Sequence, residues 1–114
     1  MPIAQLELER AAGENSEILV VRLNGKLGLE TVHDFIATMR PEPAAVLILD
    51  MSGCSFLDSA GVGALVSLFV SRRNHGKKLG LAALTTQGTA VMQVSGLMKL
   101  LPMYASVDQA VAAS

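Results

Sequence analysis

The chain has 114 residues, 51 % apolar and 17 % charged, with a net charge of −1 and a single cysteine. That describes one globular domain with room for its own core. It excludes a disordered tail, an internal disulfide framework and any general electrostatic case for nucleic acid or anionic membrane as partner.

No apolar run approaches the ~18 residues that span a bilayer. Residues 1–5 have neither the basic start nor the apolar core of a signal peptide. A cytoplasmic protein without membrane insertion is expected, with a reducing compartment implied by the lone cysteine.

In chain order, residues 3–9 alternate apolar and polar side chains, a weak strand pattern. Residues 13–16, Gly-Glu-Asn-Ser, read as a turn, so the strong strand at 18–23 should pair with the first as a hairpin. Asn24-Gly25 should break it, and residues 26–29 form a connection. A helix is expected over 30–39 with Val32, Phe35, Ile36 and Met39 on one face, ended by Pro41 and Pro43. The continuous apolar run at 45–49 suits a strand covered on both faces. A loop over 50–57 then leads to a helix over 60–74, with Val62, Leu65, Val66 and Phe69 as its core stripe and His75-Gly76 as its stop.

Residues 79–84 form a third interior strand. Thr85 or Thr86 caps a helix that Gly96 ends, and residues 97–101 are expected as a short strand before Pro102. Ser106 to Gln109 fits a capping box opening a last short helix. Strands alternate with helices after Gly25, so the fold class is α/β: a mixed β-sheet with packed α-helices. Right-handed crossovers make the strands at 45–49 and 79–84 parallel neighbours.

Charge is unevenly placed. Nine of the ten acids lie at or before Asp58, and the tenth is Asp108. Between them stand Arg72, Arg73, Lys77, Lys78 and Lys99 without an acid. Cations favoured at a helix C-terminus account for such a cluster; a basic flank beside the central motif is the other reading.

That motif is Cys54-Ser55-Phe56-Leu57-Asp58-Ser59-Ala60-Gly61-Val62-Gly63. Asp58 and Ser59 stand where a helix N-cap should, and either residue is an ordinary cap. A hydroxyl there also sits at unpaired N–H groups and the positive end of the dipole, where a phosphate is tolerated. A nucleophilic serine needs a base within reach. His75 belongs at the far end of the helix, and His33 has no spacing that ties it to Ser59. Gly63, Ser67 and Ser71 recur every four residues, bordered by Ala60 and Ala64. Because glycine weakens a helix interior, this smooth stripe is read as an outer docking face, with close internal packing as the alternative. The motif lacks the lysine and spacing of a P-loop, and no Cys/His set suits zinc, so no cofactor or metal is expected.

Residues 56–63, Phe-Leu-Asp-Ser-Ala-Gly-Val-Gly, resemble the signature of STAS domains, specifically bacterial anti-sigma factor antagonists. The likeness extends to Leu23-Asn24-Gly25-Lys26-Leu27 with Thr31, to the strand at 45–50, and to Ser95-Gly96-Leu97 with Lys99-Leu100-Leu101. It covers nearly the whole chain as a single STAS-like domain. The resemblance implies a non-enzymatic switch. Its partner is an anti-sigma factor that is itself a serine kinase, phosphorylation falls on Ser59, and a serine phosphatase resets it. Partner contacts would come from Asp58, Ser59, Ala60, Gly61, Gly63, Ser67 and Ser71. Gly28 stands where the family often carries aspartate, and Ala60 where a second hydroxyl is common. The alternative is a STAS scaffold in a stress-signalling complex or a lipid-transporter subunit, without phosphorylation.

Overall fold

A computed structural model describes residues 5–12 and 17–114. The turn expected at 13–16 and the start of the first strand at Ile3 lie outside the described residues. Ten elements follow one another: β1 (Leu6–Ala12), β2 (Ile18–Leu27), α1 (Val32–Met39), β3 (Val46–Asp50), β4 (Cys54–Leu57), α2 (Ser59–Asn74), β5 (Lys78–Ala82), α3 (Thr86–Val94), β6 (Met103–Tyr104) and α4 (Val107–Ala112). The sheet runs β1-β2-β3-β5-β6, with β4 pairing β2. β1 is antiparallel to β2, as the hairpin pattern anticipated, and the other pairings are parallel.

β2 is twice the length of β3, and that mismatch shapes the sheet. Its first half, Ile18 to Arg22, pairs with β3, and its second half, from Gly25, pairs with β4. The register shifts between Gly25 and Lys26. Gly25 has φ +121, and a side chain on it would run into the Gln5 carbonyl. Asn24-Gly25 was expected to end the strand. It instead kinks a continuous one, because glycine can take the left-handed geometry that changing partners requires. β4 itself lies inside the stretch expected to be loop. Four residues with Cys54 and Leu57 inward and Ser55 and Phe56 outward are too few to show a period.

Side chains alternate across the sheet. Leu47, Leu49, Leu79 and Leu81 enter the main core with Phe35 and Met39 of α1, Leu65 and Leu68 of α2 and Met92 of α3. Ile48 and Ala82 face the other way, onto Ala110 of α4. β3 is therefore covered on both faces, as its unbroken apolar run required.

α2 turns a different face inward from the one expected. Gly61, Val62, Ala64, Leu65, Leu68 and Arg72 are buried, while Val66 and Phe69 are only half-buried. Arg72 is 2 % exposed. Its guanidinium donates to the carbonyls of Lys78 (2.9 Å), Glu42 (3.1 Å) and Ala44. It thus ties the end of α2 to the starts of β3 and β5. Burial lowers its pKa from the usual guanidinium value, and the Glu42 charge opposes that shift. A buried cation is tolerated there because backbone carbonyls replace its water.

Two glycines end helices as expected. Gly76 has φ +71, with Gly76 N–H on the Arg73 carbonyl and Lys77 N–H on that of Arg72. Gly96 has φ +74, with Gly96 and Leu97 N–H on Gln93 and Met92. Both are Schellman caps. Thr85 caps α3 and Ser106 caps α4. The strand expected at 97–101 is a turn, with Leu100 N–H on the Leu97 carbonyl. The pairing segment comes after it, at Met103–Tyr104, where the Pro102 carbonyl receives Leu81 N–H at 2.9 Å. Proline lacks a donor but not an acceptor, so it can open a strand.

Candidate functional site

Asp58 is the N-cap of α2. Its backbone is extended, and its carboxylate holds two segments at once. Oδ1 accepts the Gly61 N–H at 2.8 Å, the usual cap bond, and Oδ2 accepts the Leu29 N–H at 3.2 Å from the loop between β2 and α1. That loop is also internally tied. Thr31 Oγ1 accepts the Gly28 N–H at 3.0 Å and lies 2.9 Å from the Lys26 carbonyl, to which it can donate.

Gly61 sits flush against the end of β2, where a side chain would strike the Leu27 carbonyl. It was grouped with the partner-contact residues. Its burial instead makes it the packing glycine that lets α2 start this close to the sheet.

Ser59 follows the cap as the first residue of α2 and is exposed. No described residue hydrogen-bonds its hydroxyl. His75 closes the opposite end of the helix, with Nδ1 2.7 Å from the Ser71 carbonyl, so it cannot serve Ser59 as a base. The Asp58 carboxylate is turned to the Gly61 and Leu29 N–H groups, not to the Ser59 hydroxyl. The arrangement presents an unhindered hydroxyl at a helix N-terminus, suited to be modified by something else rather than to attack.

The surroundings were not visible in the sequence. On one side of the motif, Leu29 (77 % exposed) and Phe56 (44 %) share a cleft with Lys26, Glu30 and Asp58. On the other, Ser59 borders an apolar groove on α3 formed by Ala90, Val91, Val94 and Ser95. Val94 is 90 % exposed. Three of the five large hydrophobic side chains most exposed among the described residues thus lie beside the Asp58–Ser59 motif.

α3 is held beside β4 by Gln87. Its side-chain amide accepts from Leu57 N–H at 2.9 Å and donates to the Leu57 carbonyl at 2.7 Å, one residue before Asp58.

Among the other expected contact residues, Gly63 is exposed with open space around its Cβ position. Ser67 is exposed and accepts a long 3.4 Å bond from Arg40 Nη2, whereas Ser71 and Ala60 are half-buried. Cys54 is buried, donates to the Phe56 carbonyl at 3.3 Å, and has its thiol pKa pushed up by that burial. Among the described residues no group of three His, Cys, Asp or Glu could hold a metal, and no helix is long and apolar enough to cross a membrane.

The STAS domain family model matches residues 9–110. This chain belongs to the STAS family. The STAS domain here is similar in fold to a candidate anti-sigma factor antagonist from Thermotoga maritima, with 16 % identity over 93 % of this chain and 92 % of that one, TM-score 0.82. It is similar also to the Bacillus cell-fate determinant SpoIIAA in its phosphorylated form, with 25 % identity over 95 % and 97 %, TM-score 0.65. A sulfate transporter family protein from Wolinella succinogenes shares 19 % identity over 85 % and 84 %, TM-score 0.75. The STAS assignment agrees with the mixed sheet and packed helices described above.

Proposed function

We propose that this STAS domain is a phosphorylation-controlled anti-sigma factor antagonist. It binds an anti-sigma factor serine kinase while Ser59 is bare, which frees the sigma factor, and lets go once Ser59 carries a phosphate. A serine phosphatase restores the binding form, and the domain works in the cytoplasm without cofactor or catalysis of its own. The observation that carries this reading is the exposed, unbonded hydroxyl of Ser59 between the Leu29–Phe56 cleft and the α3 groove. The contact set is Asp58, Ser59, Ala60, Gly63, Ser67 and Ser71, now with the exposed apolar side chains beside them. A relative solved in its phosphorylated form supports control by phosphorylation.

The physics of the switch follows from position. A phosphate brings roughly −1.5 to −2 charges. At a helix N-terminus that charge is favourable by up to ~1 kcal/mol, so the fold survives. A partner closing over Ser59 must also cover apolar Val94 and Phe56, and there the same charge would be desolvated next to Asp58. An unpaired buried charge costs several kcal/mol, and each 1.4 kcal/mol is about tenfold in affinity, so a hundredfold switch is attainable.

Incubation with ATP and a kinase-type anti-sigma factor, followed by intact mass, tests this. One phosphate should appear on the native chain and none on Ser59→Ala, which should bind constitutively. Ser59→Asp should bind weakly. If Ser59→Ala is still modified, or the phosphorylated form binds as tightly as the bare one, the switch is wrong. The second reading, an unphosphorylated STAS scaffold, draws on the transporter-family relative. It is favoured if no kinase modifies Ser59 while the exposed surface still binds a partner.

A further inference from the structure

The acid-free stretch from 59 to 107 carries five cations, and the proposed switch uses none of them. The fold sorts them by role. Arg72 is taken into the core by backbone carbonyls. Arg73, Lys77 and Lys78 instead border a cleft of about 190 Å³ whose apolar wall includes Ile48, Phe69 and Tyr104. The cleft lies at the far end of α2 from Ser59, some 21 Å along the helix at 1.5 Å per residue.

Its origin is topological. β6 pairs only with Leu81 and Ala82, so the Lys78–Gly80 half of β5 has no strand beside it on that edge. Gly80 adds no side chain, and the Tyr104 ring stands 3.1 Å from where its Cβ would be. The ion pair between Arg10 and Glu42 involves none of these three cations. Arg73 lies over the Phe69 ring, 5.6 Å from its centroid, and Lys77 Nζ reaches the Glu42 carbonyl at 3.5 Å. The helix dipole explains a cation in the last turn of α2. It does not explain Lys77 and Lys78, which lie beyond the helix.

We propose that this cleft binds a small aromatic anion, one ring seated against Phe69 and Tyr104 with its carboxylate or phosphate among Arg73, Lys77 and Lys78. A cavity of about 150 Å³ holds benzene, so this volume accommodates one ring and no nucleotide. The two aromatic walls offer edge and face contacts to that ring, and the three cations offer N–H donors to an oxyanion. Neither half suffices alone, because an exposed cation cluster holds a small ion weakly.

The test is titration of ¹⁵N-labelled protein at constant ionic strength with phenylacetate and phenyl phosphate, against 2-phenylethanol, acetate and inorganic phosphate. Saturating amide shifts are expected around residues 69–80 and 103–113 with at least one aromatic anion, and the tighter of the two identifies the head group. The neutral alcohol and the ringless anions should bind at least tenfold more weakly. Shifts that fail to saturate, that centre on Ser59, or that are as strong with 2-phenylethanol overturn the proposal.

Lys77→Gln with Lys78→Gln should weaken binding about tenfold at an unchanged thermal midpoint. Ala113→Leu, which narrows the cleft and keeps every cation, should weaken it as much and carries the test if the double variant misfolds. Binding at native strength by a folded variant of either kind refutes the site.

Discussion

The carboxylate of Asp58 fills the space that a side chain on residue 28 would need: a Cβ on Gly28 would lie 2.6 Å from Asp58 Oδ2. The same oxygen receives the Leu29 N–H. Absence of a side chain at 28 thus lets the cap of α2 also anchor the loop carrying exposed Leu29. Gly28→Ala should push the carboxylate away and release the loop while leaving Oδ1 on Gly61. A loss of about 1 kcal/mol is expected for that hydrogen bond. Gly28→Asp adds a second negative charge against Asp58 and should lower the thermal midpoint further than alanine. Equal midpoints for the two variants would remove Asp58 from the account.

Gly63 should be replaceable as far as folding goes. It is exposed, in mid-helix, with nothing near its Cβ position. Gly63→Ala is expected to stabilise the domain by about 0.5–1 kcal/mol in denaturant unfolding. Gly63→Arg should also fold but obstruct a partner lying along α2. Ser67→Arg is a less clean probe, since Arg40 already reaches Ser67 and two cations would meet. Full affinity in Gly63→Arg would take that face out of the interface.

Gln87 is expected to matter beyond its modest burial. Gln87→Ala leaves both Leu57 backbone groups without their partner, at about 1–3 kcal/mol. Amide exchange at Leu57, Asp58 and Ser59 should rise more than at β3, because the bond pins the strand end that precedes the cap. Uniform change across the sheet would contradict this.

Glu42 makes stability depend on acid. The hydrogen bond from Arg10 holds its carboxyl below the usual carboxylate value, against the opposing effect of burial. A carboxylate lowered in the folded state stabilises it above the ordinary pKa, and that contribution is lost as pH falls through the folded value. Arg10→Ala should therefore destabilise most at neutral pH. The gap from the native chain should close below about pH 4, near the unperturbed carboxylate range. A gap that stays constant from pH 7 to 3 would show that the pair contributes nothing.

Arg72 should resist every replacement. Removing its guanidinium strands carbonyls of Glu42, Ala44 and Lys78 and empties a buried site, so Arg72→Ala is expected to lose 3 kcal/mol or more, about 1–3 for each unsatisfied group. Chemical denaturation measures it. A loss under 1 kcal/mol would mean that water replaces the side chain.

Local patterns in the chain were enough for the α/β class, for the parallel pairing of β3 with β5, for the cap at Ser106, for narrowing the other caps to Asp58 or Ser59 and to Thr85 or Thr86, and for the stops at Gly76 and Gly96. The caps and stops depend on residues within a turn or two of one another, where spacing alone carries the physics, and the β3–β5 pairing follows from the handedness of the crossover between them. The motif around Asp58 and Ser59 was legible for the same reason. Other features required the folded chain. The inward face of α2 was set by how closely Gly61 could approach Leu27, which drew Leu68 and Arg72 into the core and left Val66 and Phe69 half out. The partner change along β2 depended on the length of β3, a segment some twenty residues on. Gln87 meets Leu57 across thirty positions. Leu29 of the β2–α1 loop, Phe56 of β4 and Val94 at the end of α3, unremarkable at their places in the sequence, come near the head of α2 because Asp58 binds the Leu29 N–H and Gln87 holds α3 beside β4. Contacts of that range come from packing and strand register, which no window of neighbouring residues encodes.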